Sequence, residues 1–474
     1  MGEGMGDALR TLAGQLRGEL LLPDDHGYED ARRGYNSLHD HRPAVIVRPA
    51  DGDDVARALE FATSAGLEIA VRSGGHSLAG YGATEGGALI DLSAMHAIHI
   101  DATARVAPVE AGTTAGQLTA TTAAHGLVVP FGDSPTVGVG GITLGGGVGW
   151  LSRKLGLTID SLDSVEVVTA EGQLVAADEH TRQDLFWAVR GGGGNFGVVT
   201  RFRYRLHPIG TVLGGAGSAG NARGHPGRDR PADAAPDELT TISLITRLPP
   251  LSIVPPEMHG QLAVLITLVW CGEVDEGARF VNTFRTLAPP IADLLHPRPY
   301  PSMYELIPEA PQSVTNITYS FAADALDDVA IGSILHHMED SNLPSTEAFA
   351  AVELRVLGGR SAGFRLTLPP LPIASGDCSA PSSWPGSLRL TPTVTAGGCS
   401  PWRARSGTSP RGRTSTSSTL RTKLAFTRPI RTARIVVSSR SSGAMTRQTS
   451  SIPTSTSDPT SVCASGCAGG ASRR

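Results

Sequence analysis

Glycine constrains this chain more than any other residue type, because it is gathered rather than scattered. Three runs hold much of it: Arg72-Ser73-Gly74-Gly75-His76-Ser77; then Gly132-Asp133-Ser134-Pro135-Thr136-Val137-Gly138-Val139-Gly140-Gly141, continuing to Gly145-Gly146-Gly147-Val148-Gly149-Trp150; then Gly191-Gly192-Gly193-Gly194-Asn195-Phe196-Gly197. Backbone without Cβ approaches a ligand or another backbone closely and takes positive φ at little steric cost. Consecutive small residues in tight turns also converge several N–H groups on one point, the arrangement a diphosphate needs. These runs predict bare loops that meet at a ligand.

The segments between the runs read as short strands mixed with a few helices, an α+β pattern rather than a doubly wound one. Asp51 or Asp53 caps a helix to about Ala65, with Val55, Leu59 and Ala62 as its apolar stripe and Gly66 closing it. Strands are expected over Glu68–Arg72, Ala88–Leu92 and Arg105–Ala111, and a helix over Ala115–His125. Val165–Thr169 and Gln173–Ala177 form a hairpin around Glu171-Gly172. Val198–Leu206 alternates, with Arg201, Arg203 and Arg205 on a solvated face. Phe186 and Trp187 read as core anchors. Gly214–Asp233 reads as a linker or irregular loop, Leu262–Trp270 as a buried strand and Val329–Met338 as a helix.

Taken in order, the three runs resemble the flavin-binding half of the vanillyl-alcohol-oxidase-type flavoproteins, and more narrowly the berberine-bridge-enzyme-like FAD-linked oxidases. The resemblance is close from His41 to Pro208 and looser to Gly359. It implies an N-terminal segment (1–40), a PCMH-type two-subdomain FAD-binding domain (41–210) and part of an α+β substrate domain (211–359). It also implies that Ser73, Gly74, Gly75, His76 and Ser77 hold the FAD pyrophosphate and that His76 is bonded through its ring to the flavin 8α-methyl. Thr136, Gly138 and Gly141 then wrap the isoalloxazine and ribityl side, Gly146 and Gly149 permit close backbone packing, and Gly132 and Val198 complete the set. Many relatives carry a second tether, a cysteine two residues after the glycine matching Gly132. Ser134 stands there in this chain, and a hydroxyl is far less nucleophilic than a thiolate, so a single link is expected. The implied activity is hydride transfer from a small alcohol, sugar or amine to flavin, with reoxidation by oxygen or another acceptor. The resemblance leaves the catalytic base unassigned.

Other signals narrow the classes. Gly192–Gly197 satisfies G-x-G-x-x-G, but a helix precedes it and a strand follows, the reverse of the nicotinamide fingerprint. The net charge of −5 argues against a nucleic-acid partner. No apolar stretch has the length of a membrane helix. The start of the chain lacks a basic and an apolar leader region, which makes a cytoplasmic setting the default. The five cysteines offer no metal spacing, and adjacent His336 and His337 do not share a helix face, so no metal is expected.

After Gly359 the composition changes. Ser, Thr, Arg and Pro dominate, Tyr, His and Glu do not recur, and Asp377 and Asp458 are the only acids. Such a tail cannot bury enough surface to fold, and residues 360–474 are expected to be disordered. Read one nucleotide early, the stretch over 445–459 can encode Tyr-Asp-Pro-Thr-Asn-Leu-Phe-His-Pro-Asn-Leu-Asn-Ile-Arg-Pro, which resembles the family's ordinary C-terminus. A one-nucleotide frame error near Gly359 accounts for the break. With it, the chain lacks the segment that in this family returns to close the flavin site. A flavin-binding but inactive remnant is the alternative to a working oxidase.

Overall fold

The computed structural model describes residues 3–363 apart from 221–234, 249, 251–253, 288–289, 307–314, 324–325 and 341–347, together with strands at 387–390, 422–425 and 433–441. Two small sheets carry the glycine-rich loops. The first orders its strands β1-β2-β4-β3: β1 (Glu19–Leu21), β2 (Val45–Arg48), β3 (Ile69–Arg72) and β4 (Ala88–Asp91), with β1 antiparallel to β2 and both β2 and β3 parallel to β4. The second is antiparallel in the order β5-β9-β7-β8: β5 (Val106–Glu110), β7 (Leu162–Val168), β8 (Leu174–Asp178) and β9 (Val198–Arg205). A two-residue ladder joins β6 (Leu127–Val128) to β10 (His207–Pro208).

One apolar core binds the two sheets: Val45 and Ile90 from the first, Val109, Val165 and Phe202 from the second, and Val55, Ala58 and Ala62 from the helix Gly52–Ser64. Asp51 caps that helix, its carboxylate accepting from the Asp54 N–H, and Gly66 follows its end at φ +64°. The helix Ala115–Ala123 starts in a capping box made by Thr114 and Gln117. The N-terminal segment is built into this unit. Leu9 and Leu12 of the helix Glu3–Gln15 join the core, and the buried Tyr28 hydroxyl donates to the Pro43 carbonyl at 2.6 Å.

The third sheet is larger and antiparallel: β11 (Thr211–Gly220), β12 (Leu239–Arg247), β13 (Leu262–Trp270), β14 (Pro290–Asp293), β15 (His296–Pro299), β16 (Thr315–Ala323) and β17 (Ala348–Val356). Gly214–Gly220, expected in a loop, instead pairs along β13, and residues 221–233 of that expected loop lie outside the described residues. Small residues suit the strand because its neighbours crowd it. A Cβ on Gly214 would sit 2.7 Å from Met303 Sδ, and one on Gly215 would sit 2.1 Å from the Leu294 carbonyl. The helix Asp328–Asp340 follows expectation. Trp150 and Leu151 pack with Val212, Ile242, Tyr300 and Met303, so this sheet meets the glycine-rich region through a largely apolar seam.

The expectation for 360–474 falls mostly outside the described residues. Within that stretch β18 (Ser387–Leu390) pairs with β19 (Thr422–Ala425), and β20 (Ala433–Ser441) lies between β16 and β17. No helix among the described residues is long and apolar enough to cross a membrane.

Candidate functional site

The first glycine run leaves β3 at Arg72, whose side chain turns inward. Its Nη2 lies 2.8 Å from the Asp91 carboxylate and its Nη1 donates to the Arg33 carbonyl at 3.2 Å. This buried pair fixes where the loop begins. Burial alone would raise the Asp91 carboxyl, but the Arg72 guanidinium and the Ser93 N–H outweigh it and hold the group below the ordinary range. Gly75 then adopts φ +73° and accepts from the Tyr35 N–H at 3.0 Å.

Gly74 and Gly138 set the distance between the first two runs. A Cβ on Gly74 would lie 2.1 Å from the Gly138 nitrogen, and one on Gly138 would lie 2.1 Å from the Gly74 nitrogen. No side chain fits on either without parting the loops. Ser73 ties the same junction, its Oγ donating to the Ala111 carbonyl at 2.5 Å and accepting from the Gly140 N–H at 3.3 Å. The His76 ring sits at the mouth of this junction. Tyr35 stacks on it with centroids 4.4 Å apart and planes 19° apart, and Thr136 Oγ1 is 3.0 Å from its Nε2. Ser134 Oγ lies 3.4 Å from the same threonine hydroxyl.

A cleft of about 2090 Å³ opens between these loops and the third sheet. Ser73 to Ser77, Ser134, Thr136, Gly138, Gly141 and Val198 line it, as do the backbone of 191–195 and Gly197. Gly132, Gly146 and Gly149 are not among its lining residues. Gly149 is a packing position, since a Cβ there would lie 1.8 Å from the Phe131 carbonyl, whereas Gly146 is needed for its φ of +109°. The G-x-G-x-x-G stretch follows the helix Gln183–Gly192 and leads through a 3-10 turn into β9, the order expected to exclude a nicotinamide fingerprint. Trp187 corrects an expectation: it is 67% exposed, because only the Phe186 and Val189 face of its helix is buried. Arg201, Arg203 and Arg205 do face solvent, paired with Glu166 and Asp163.

The opposite wall carries residues that no local motif marks. Ile242, Leu244, Leu265 and Thr267 present a largely apolar surface, and β17 adds Glu353 and Arg355. The Arg355 Nη2 reaches Asp133 at 2.6 Å, its Nη1 points to the Val148 carbonyl at 3.4 Å, and its Nε pairs with Glu353. The neighbouring carboxylates hold this guanidinium firmly charged despite burial. Tyr304 donates to the Gly132 carbonyl at 3.1 Å. Asn36 clasps Asn316 of β16 through two hydrogen bonds, of 2.8 and 3.0 Å. Cys271 is half-buried, and burial pushes its thiol up to about 11, which keeps it protonated at neutral pH.

The volume exceeds the roughly 300–1,000 Å³ of a usual small-ligand pocket, leaving room for a dinucleotide and a second small molecule. Bare backbone on one wall and an apolar sheet face with few polar groups on the other fit that pair.

Residues 43–178 match the model of the FAD binding domain family. The chain is 40% identical over 194 residues to (R)-6-hydroxynicotine oxidase of Paenarthrobacter nicotinovorans, covering 41% of this chain and 42% of that protein. It is 31% identical over 271 residues to an FAD-linked oxidoreductase of Dictyostelium discoideum, covering 56% of each. It thus spans about half the length of the curated relatives it matches. Among solved structures, 6-hydroxy-D-nicotine oxidase from Arthrobacter nicotinovorans superposes with a TM-score of 0.69 at 24% identity, covering 91% of this chain and 82% of that one. A glucooligosaccharide oxidase from Acremonium strictum, described as carrying 6-S-cysteinyl, 8α-N1-histidyl FAD, gives 0.65 at 23% identity over 75% and 76%. At these identities the two structures establish the fold.

Proposed function

We propose that this chain, whose residues 43–178 match the FAD binding domain family and whose fold is that of 6-hydroxy-D-nicotine oxidase, is an FAD-dependent oxidoreductase with flavin covalently bound at His76. Its substrate is a small alcohol, sugar or amine, and oxygen or another acceptor completes the cycle. The observation that carries the reading is the placement of the His76 imidazole where two glycine loops meet, at the edge of a cleft with room for cofactor and substrate. When bound, FAD supplies the hydride acceptor, and the protein's task is to orient and enclose it. In this reading Ser73 to Ser77 offer backbone donors to the pyrophosphate, while Thr136, Gly138 and Gly141 line the isoalloxazine and ribityl side. Ser134 forms no second bond. The Ile242, Leu244 and Leu265 face excludes water from the reacting carbon, and Glu353 and Asp133 offer carboxylate acceptors for a substrate O–H or N–H.

Acid denaturation of the purified protein tests the tether. Yellow colour should stay with the polypeptide, and peptide mapping should find FAD on the His76 peptide and none on the Ser134 peptide. Flavin released wholly into the supernatant would overturn it.

A second reading keeps the flavin and drops turnover. It is favoured by the composition after Gly359, which supplies no Tyr, His or Glu to close the site. Aerobic turnover of alcohols, sugars and amines by flavin-loaded protein, with and without a restored reading frame, separates the two. Activity only in the restored form supports the remnant.

A further inference from the structure

We infer that Tyr35 and Thr136 are positioning residues that ready the His76 imidazole for covalent attachment of FAD. This rests on the tether proposed above. His76 is held from two directions by segments far apart in sequence. The Tyr35 ring covers one face at 4.4 Å and nearly parallel, and Thr136 Oγ1 meets Nε2 at 3.0 Å. The stack is itself anchored, because the Tyr35 N–H is bonded to the Gly75 carbonyl beside His76, at 3.0 Å. Tyr35 is placed by the N-terminal segment, whose Asn36 is clasped to β16 and also donates to the Leu78 carbonyl at 3.2 Å. Thr136 is placed by the second glycine run, where Gly138 abuts Gly74. Tyr35 lies outside the glycine runs, yet with Thr136 it limits rotation of the imidazole about both its side-chain torsions.

The chemistry explains why that restraint matters. Attachment forms one bond, from an imidazole nitrogen to the 8α carbon. It removes the imidazole N–H proton and one 8α C–H hydrogen, and the two electrons and two protons pass to dioxygen, giving hydrogen peroxide. The attacking nitrogen must present its lone pair, and the hydrogen bond made by the other nitrogen sets the tautomer. The Thr136 hydroxyl at Nε2 thus selects between the two tautomers. The Tyr35 stack then keeps that lone pair aimed rather than averaged over ring rotation. Misplacement by about 1 Å is enough to cost such a reaction roughly 100-fold.

The test uses the full chain, prepared flavin-depleted, mixed with FAD and sampled over time. Total bound FAD is read from the absorbance of the native protein, and covalent FAD from in-gel fluorescence after acid denaturation. Thr136→Val and Tyr35→Ala should bind FAD but form the covalent link about ten-fold more slowly or worse. Thr136→Ser and Tyr35→Phe should match the unaltered protein, because they keep the hydroxyl and the ring. Should the larger changes abolish FAD binding, Thr136→Ala and Tyr35→Leu are read in the same way. Covalent linkage at the unaltered rate in the variants lacking hydroxyl or ring overturns this inference alone. Release of all FAD from the unaltered protein sinks the tether and this inference together.

Discussion

Arg355 of β17 reaches across the cleft to Asp133, its Nη2 2.6 Å from the carboxylate, and so ties the third sheet to the loop that follows Gly132. The Arg355 side chain is only 13% exposed and its Nε pairs with Glu353. Removing it strands two carboxylates at the cleft wall. Arg355→Met should cost about 2 kcal/mol, between the values for exposed and fully buried pairs. Asp133→Asn combined with Arg355→Met should cost less than the sum of the two single changes. Chemical denaturation of the four proteins checks this, and strict additivity would mean the pair is not coupled.

Gly74 and Gly138 make a sharper structural prediction. Alanine at either should cost roughly 1–3 kcal/mol through overpacking, because the new Cβ meets backbone that cannot swing away. Gly141→Ala is the contrasting change. A Cβ there meets nothing within 4 Å and the residue lies inside the helix Val139–Leu144, so stability should hold or rise slightly. Gly141 nonetheless lines the cleft, so its FAD content should fall. Thermal unfolding paired with flavin content separates the two kinds of glycine.

The Arg72–Asp91 pair beneath the His76 loop predicts an acid-sensitive contribution to stability. The folded-state carboxyl lies below its ordinary value, so the contribution is full above about pH 3.9, the ordinary value for Asp. It is lost as pH falls through the lower folded value. Asp91→Asn should therefore be less stable than the unaltered protein at pH 7, by roughly 3–5 kcal/mol for a broken buried pair. The gap should narrow as pH drops below 3.9. Melting curves from pH 7 to 3 check the sign, and a gap that widens with acidity would contradict it.

Features that depend on near neighbours were legible in the residues alone. The glycine runs announced loops that need bare backbone, and Gly75 at φ +73° and the Gly74–Gly138 approach give the reason. Asp51 and Gly66 marked the ends of their helix, because caps are local hydrogen bonds. The alternation of Val198 to Arg205 gave its buried and open faces, because side chains in a strand alternate by geometry. Other features arise only from long-range packing. Gly214–Gly220 reads as a loop by composition and is a strand because β13 pairs with it. Trp187 reads as core and faces solvent because its helix docks by the Phe186 side. Tyr35, Asn36, Glu353 and Arg355 carry no motif, and their roles arise only when contacts spanning 41 to 280 positions close. Local torsional preference can be read one residue at a time; the meeting of distant segments depends on how all the buried surfaces pack at once.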